Sequence, residues 1–234
     1  MRINKYLADK QYASRRGADT LIEKGRVFIN GQVAKLGDQV KSGDKVVVEG
    51  MERGEPVYYA YNKPRGVVTL GAQNEEREIK DITTFPEAVY PLGRLDKESE
   101  GLIIFTNDGR LTDALLRPES GHEKEYEVTV NKDITSAFIH SMHKGVPIGA
   151  VGKSKNYITK PTLIRKKSAN TFDIVLMEGK NRQIRRMCSA LGYEVEKLRR
   201  FRILNIELGG LDAGEYREIE GVELAQFLGN LEIK

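Results

Sequence analysis

Residues 91–109 read Pro-Leu-Gly-Arg-Leu-Asp-Lys-Glu-Ser-Glu-Gly-Leu-Ile-Ile-Phe-Thr-Asn-Asp-Gly. A short apolar approach leads to the triplet Arg94-Leu95-Asp96, and a polar turn follows as far as Gly101. The apolar run from there to Thr106 reads as a buried strand, and Asn107-Asp108-Gly109 turns the chain into a helix. Asp96 therefore lies in the loop entering a strand, where a rigid sheet commonly presents reactive groups. A solitary aspartate in such a loop also closes turns and caps helices. The residue alone leaves both readings open.

Working outward, strand-like runs at Val57 to Tyr61, Gly101 to Thr106, Tyr126 to Val130, Phe172 to Met177 and Arg202 to Leu208 alternate with helical stretches. The helical stretches lie around Asp108 to Leu116, Ile134 to Lys144 and Arg182 to Leu191. This alternation predicts an α+β domain with a mainly antiparallel mixed sheet flanked by helices. Before it, Ile3, Tyr6 and Leu7 have helical spacing, and Ser14 is placed to cap a second helix that turns Leu21 and Ile22 inward. Asn30-Gly31 between two strand-like runs signals a tight hairpin, and Gly43-Asp44 precedes a further strand, Lys45 to Val48. The expected organisation is a small helix-rich unit over residues 1–48, a Gly- and charge-rich linker over 49–56, and a larger domain over 57–234.

A hydrophobic content of 39% with 31% charged residues describes a globular chain. No run approaches the roughly 18 to 20 apolar residues of a membrane span, and the N-terminus carries Arg2 and Lys5 instead of an apolar signal core. A cytoplasmic protein is expected, with no membrane partner and, by default, a monomer. Cys188 is the single cysteine, which excludes an intramolecular disulfide and fits a reducing compartment. His140 and His143 have the i, i+3 spacing of a ligand pair, but no third ligand is near them in sequence, so no metal is expected. No P-loop or Gly-x-Gly-x-x-Gly fingerprint is present, and no cofactor is expected.

The net charge of +4 is modest, yet its distribution is informative. Residues 1–48 hold ten Lys or Arg against five acids, and residues 178–202 hold eight bases against three. Two separated basic zones suit an extended polyanion that touches the protein twice; solvated surface charge is the alternative.

Residues 2–48 resemble the small RNA-binding module first named from ribosomal protein S-four. The resemblance rests on a helix, Ser14-Arg15-Arg16, a second helix, Gly25-Arg-Val-Phe-Ile-Asn-Gly31 and Gly43-Asp-Lys-Val-Val-Val48. It implies an S4-like domain in which Lys5, Arg15, Arg16 and Arg26 place cations where phosphates lie, recognising RNA by shape and backbone. The stretch 91–109, together with Tyr59 to Val68, His122 to Val130 and Glu178 to Tyr193, resembles the pseudouridine synthases, in the branch of ribosomal enzymes RsuA, RluB, RluE and RluF. The resemblance extends over essentially the whole chain, with these four motifs in family order.

That resemblance implies isomerisation of a uridine in 23S rRNA, with tRNA as a further candidate substrate. It implies that Asp96 is the catalytic carboxylate, Tyr126 the base-stacking tyrosine and Arg185 the arginine paired with the aspartate. A permanently charged guanidinium would keep a buried carboxylate ionised. Arg94 matches the position that fills the space left by the flipped nucleotide, since a stacked base has to leave the helix to react. Lys180, Arg182 and Arg186 would bind RNA phosphates. Asp96 with Asp108 as a hydrolase carboxylate pair is disfavoured, because Asp108 lies where a helix cap explains it.

Overall fold

The computed structural model describes residues 1–10, 12–50, 54–117, 121–152 and 156–233. Part of the expected linker, residues 51–53, lies outside the described residues.

Helix α1, Ile3–Asp9, turns Ile3, Leu7 and Ala8 inward. Helix α2, Arg15–Glu23, starts at Ser14, whose hydroxyl accepts a hydrogen bond from the Gly17 amide at 3.1 Å, and it buries Ala18, Leu21 and Ile22. Strands β1 (Val27–Ile29) and β2 (Gln32–Val33) form a hairpin with Phe28 opposite Val33. Asn30 and Gly31 have φ of 51° and 81°, the positive pair that a tight hairpin with the sheet's own twist requires. Strand β3 (Val46–Val48) completes the three-stranded sheet on the other side of β1, and its Val48 joins Val27 and the two helices in one core.

The rest of the chain builds a second sheet. Its strands are β4 (Tyr58–Lys63), β5 (Tyr90–Leu92), β6 (Glu100–Thr106), β7 (Lys124–Val130), β8 (Leu163–Lys166), β9 (Thr171–Leu176), β10 (Val195–Ile203), β11 (Ile206–Glu207) and β12 (Tyr216–Glu218). The order is β12-β4-β6-β10-β7-β9-β8, with β5 on β6 and β11 on β10. Every pairing is antiparallel except β6 with β10. Helices α3 (Arg110–Leu116), α4 (Ser136–Lys144), α5 (Gln183–Ala190) and α6 (Gly221–Asn230) complete the domain.

Two large cores flank the parallel pair. One packs β7 and β9 against α4 and α5 through Val128, Phe138, Phe172 and Met187; the other packs β4 and β6 against α3 and α6 through Ala60, Leu102, Leu111 and Phe227. At the seam Arg199 pairs with Glu100 and Arg200 with Gly101. The backbones approach so closely that a Cβ on Gly101 would lie 2.8 Å from the Arg200 nitrogen and nearer still to its carbonyl oxygen. Gly101 also has φ of 106°, which a side chain disfavours.

Two departures from the sequence reading bear on function. The expected strand Arg202 to Leu208 straddles a turn at Leu204 (φ 52°), where β10 folds back onto β11; the long strand runs earlier, over Val195–Ile203. Its charged side chains conceal the alternation that buries Leu198 and Arg200. Helix α6 lies beyond the expected helical stretches, and it packs Phe227 into the second core. Between the two domains, the Lys5 ammonium meets the Asp113 carboxylate at 2.5 Å, and Gly109 abuts the backbone of Ala8 at the end of α1.

Candidate active site

The loop carrying Asp96 is fixed from below by buried groups. The Thr69 hydroxyl donates to the Leu95 carbonyl at 2.9 Å and accepts from the Leu95 amide at 3.1 Å. Lys63, fully buried at the end of β4, donates to the carbonyls of Pro64 (2.9 Å) and Ser99 (2.7 Å) and more weakly to that of Lys97 (3.4 Å). Burial pushes the Lys63 ammonium down to about 8, against the opposing pull of Glu100, Asp96 and Glu98. Arg185 reaches over from α5 to donate to the Glu98 carbonyl at 2.9 Å and to the Ser99 hydroxyl at 3.4 Å. Carbonyl acceptors ordered by two cations and one hydroxyl make a rigid support of the kind a preorganised site needs.

The Asp96 side chain stays 32% exposed and opens onto a cavity of about 510 Å³, which Tyr126, Lys124, Arg182, Arg200 and Leu198 also line. That volume suits a flipped nucleotide. Asp96 comes together with Tyr126 from β7 and with the start of α5. The expected ion pair differs, however. The guanidinium paired with Asp96 is that of Arg182, at 3.6 Å, while Arg185 is spent on the loop backbone and on the Val195 carbonyl at 3.0 Å. The cause lies in the backbone: Arg182 holds φ of 49° ahead of α5, a conformation costly for a residue with a side chain, which directs its guanidinium to the cavity. Buried Glu178 enforces that turn, accepting from Gln183 Nε2 at 2.7 Å, the Tyr157 hydroxyl at 2.5 Å and the Lys160 amide at 3.1 Å; Gln183 Oε1 in turn accepts from the Lys180 amide at 3.0 Å. Burial, with the neighbouring Arg182 charge, lowers the Arg185 pKa.

The expected phosphate-binding residues divide. Arg15, Arg16, Arg94 and Arg182 are exposed. Lys180 lies over the Tyr157 ring, 5.0 Å from its centroid. Arg186 is turned inward onto the carbonyls of Ile148 and Ala150. Arg26 holds the Glu49 carbonyl, and Lys5 holds the interdomain pair with Asp113. The structure thus commits four of the expected contacts, those of Lys180, Arg186, Arg26 and Lys5, to the chain's own shape.

Asp108 is fully buried, accepts from the Tyr58 hydroxyl at 2.9 Å and meets Arg110 at 2.6 Å, which gives it a structural role away from Asp96. His143 Nδ1 contacts the Thr162 carbonyl at 2.8 Å. Among the described residues no group of three or more His, Cys, Asp or Glu is placed to hold a metal ion, and no helix is long and apolar enough to cross a membrane. Cys188 is buried, and burial pushes its thiol up to about 12. Sequence reasoning passed over Thr69, Lys63, Glu178, Lys124 and Arg200. Of these, Arg200 alone left a local signal, falling in phase with Leu198 along a period-2 pattern.

The family model described as RNA pseudouridylate synthase matches residues 57–190, and that of the S4 domain matches residues 1–46. The chain is 46% identical over 229 residues to the dual-specificity RNA pseudouridine synthase RluF of Escherichia coli K12, covering 96% of this chain and 77% of that one. It is 35% identical to the ribosomal large subunit pseudouridine synthase B of Bacillus subtilis, covering 93% and 91% of the two chains. A crystal structure of a pseudouridylate synthase superposes with a TM-score of 0.69 at 26% identity, covering 99% of both chains. With an S4 domain ahead of a matching catalytic fold, this chain belongs to the RNA pseudouridine synthases, isomerases that act on uridine in RNA.

Proposed function

We propose that this enzyme isomerises a uridine of 23S rRNA, with Asp96 as the catalytic carboxylate. The observation that carries the reading is the placement of Asp96: on a loop clamped by buried donors, at the wall of a nucleotide-sized cavity, with Tyr126 in the same wall and a guanidinium 3.6 Å away. The base would stack on the Tyr126 ring, whose hydroxyl is suited to assisting removal of the C5 proton. Arg182 would position the carboxylate, and Arg185 would act through the loop backbone. Exposed Arg94 would enter the space the flipped nucleotide vacates, while Arg15 and Arg16 hold the RNA backbone.

Pseudouridine mapping of 23S rRNA by carbodiimide treatment and reverse-transcription stops tests this reading. Loss of one stop in cells lacking the gene, and in cells carrying Asp96→Asn, names the uridine. An unchanged map sinks the 23S assignment. The RluF relative is named for dual specificity, so a second RNA is worth mapping, and tRNA is the further candidate substrate.

Two further outcomes are expected. With about four cations on phosphate, counterion release gives a log-log salt slope of roughly −2.8 to −3.6, so RNA affinity should fall about 50- to 150-fold between 50 and 200 mM salt. Filter binding across that range measures it, and a flat profile contradicts the phosphate contacts. Thr69→Val removes both hydrogen bonds to Leu95, and kcat should fall roughly 10- to 100-fold as Asp96 loses its placement, with KM little changed. Thr69→Ser should restore most of the rate; equal losses in both variants would show that the hydroxyl does not position the loop.

A further inference from the structure

Arg200 lies at the centre of β10, between Tyr126 of β7 and Gly101 of β6, and is 4% exposed. Its Nε donates to the Leu102 carbonyl at 2.7 Å, and its guanidinium carbon stands 6.0 Å from the centroid of the Tyr126 ring. Its Nη2 is buried and has no hydrogen-bond partner among the described residues. A buried charged donor without an acceptor is costly, and such groups persist where a ligand supplies the missing acceptor. Arg200 lines the same cavity as Asp96 and Tyr126. Lys124 lines it as well, donating to the His122 carbonyl at 3.1 Å. Burial together with the Arg200 charge pushes the Lys124 ammonium down to about 8.

We propose that the Arg200 guanidinium donates a hydrogen bond to a carbonyl oxygen of the flipped uracil, making Arg200 a catalytic residue that touches the base. The inference rests on the reading of this cavity as the site of uridine isomerisation. Two acceptors could meet such a donor, a phosphate oxygen and a base carbonyl, and the topology of the substrate chooses between them. RNA backbone continues on both sides of a flipped nucleotide, so its phosphates stay at the rim while the base enters. The group that reaches the sheet, where Arg200 is buried, is therefore uracil. As the C1′–N1 bond breaks, its electron pair passes into the uracil ring and raises the negative charge on the carbonyl oxygens. The guanidinium transfers no proton. Its hydrogen bond strengthens as that charge develops, so its loss falls on kcat more than on KM.

The test uses the full-length enzyme and a synthetic RNA stem-loop carrying the mapped uridine, alongside versions with 2-thiouridine or 4-thiouridine at that position. Sulfur is a poor acceptor, and each substitution weakens one carbonyl. Wild-type turnover of the unmodified stem-loop tests the assignment of the reaction; the comparison of oxygen with sulfur tests Arg200. In single-turnover assays the wild type should lose roughly 10-fold or more with one of the two sulfurs, which also identifies the oxygen. Arg200→Lys should lower kcat by about 100-fold or more with KM within about threefold, and its sulfur penalty should shrink below about twofold. Circular dichroism and thermal melting establish that Arg200→Lys is folded. The same sulfur penalty in wild type and variant overturns the proposal, leaving Arg200 as a brace for Tyr126. Wild-type indifference to both sulfurs overturns it as well, and that result needs no variant.

Discussion

Asp96→Asn should lower pseudouridine formation by at least about 10⁴-fold, the scale on which enzymes lose rate when a reacting carboxylate or nucleophile is removed. The amide preserves the side chain's size but carries no charge, so it can neither attack carbon nor accept a proton at the rate a carboxylate does. Stability should change little. The Asp96 side chain is 32% exposed and its ion pair with Arg182 spans 3.6 Å, a partly solvated pair of small net value. RNA affinity should stay within about threefold of wild type or improve, because the substitution removes a negative charge near phosphate-binding arginines. Release of tritium from RNA labelled at uridine C5 reads the reaction, and filter binding on the same RNA reads affinity. Turnover within tenfold of wild type would remove Asp96 from the chemistry. A parallel loss of affinity would mean that the residue shapes the RNA surface instead.

Gly101→Ala is expected to be the most disruptive single-methyl change in the catalytic domain. It combines two penalties that act together. At φ of 106° a side chain is strained by roughly 1 to 3 kcal/mol. The new Cβ would also meet backbone atoms of Arg200, which cannot yield as a flexible side chain can, adding roughly 1 to 3 kcal/mol of overpacking. A combined loss of about 3 kcal/mol would lower Tm by roughly 6 to 12 °C for a chain of this size. The damage also falls where function is concentrated. Gly101 follows the Asp96 loop directly and pairs with both Lys63 and Arg200, so separating β6 from β10 displaces the loop, its support and the cavity wall together. Thermal melting and single-turnover rates measure both effects. A variant that melts within 2 °C of wild type would show that the two strands part without cost.

How far the sequence could be read depended on where the information lay. The β1–β2 hairpin was legible because Asn30-Gly31 supplies both positive φ values locally, and α2 because Ser14 caps it within one turn. Strand β6 was legible because its continuous apolar run has no other use. Strand β10 was misplaced because the arginines and lysine that line it look like surface, although Arg200 is buried between β6 and β7. Helix α6 left little local signal, because Phe227 is its one buried residue.

The candidate site divides along the same line. Asp96 and Tyr126 were marked by the stretches around them, and the structure places both in one cavity. Which arginine faces Asp96 was not a local property. It depends on a left-handed turn at Arg182, enforced by a carboxylate at Glu178 and by contacts from Tyr157 and Lys160 elsewhere in the chain. The amino-acid sequence by itself determined the local structures and the residue types available for chemistry, because propensities, caps and turns act over a few residues. Only the tertiary structure decided which cations meet the carboxylate, which hold the loop and which line the cavity. Distance and burial, which set the strength of every charge interaction, exist only once distant strands have come together.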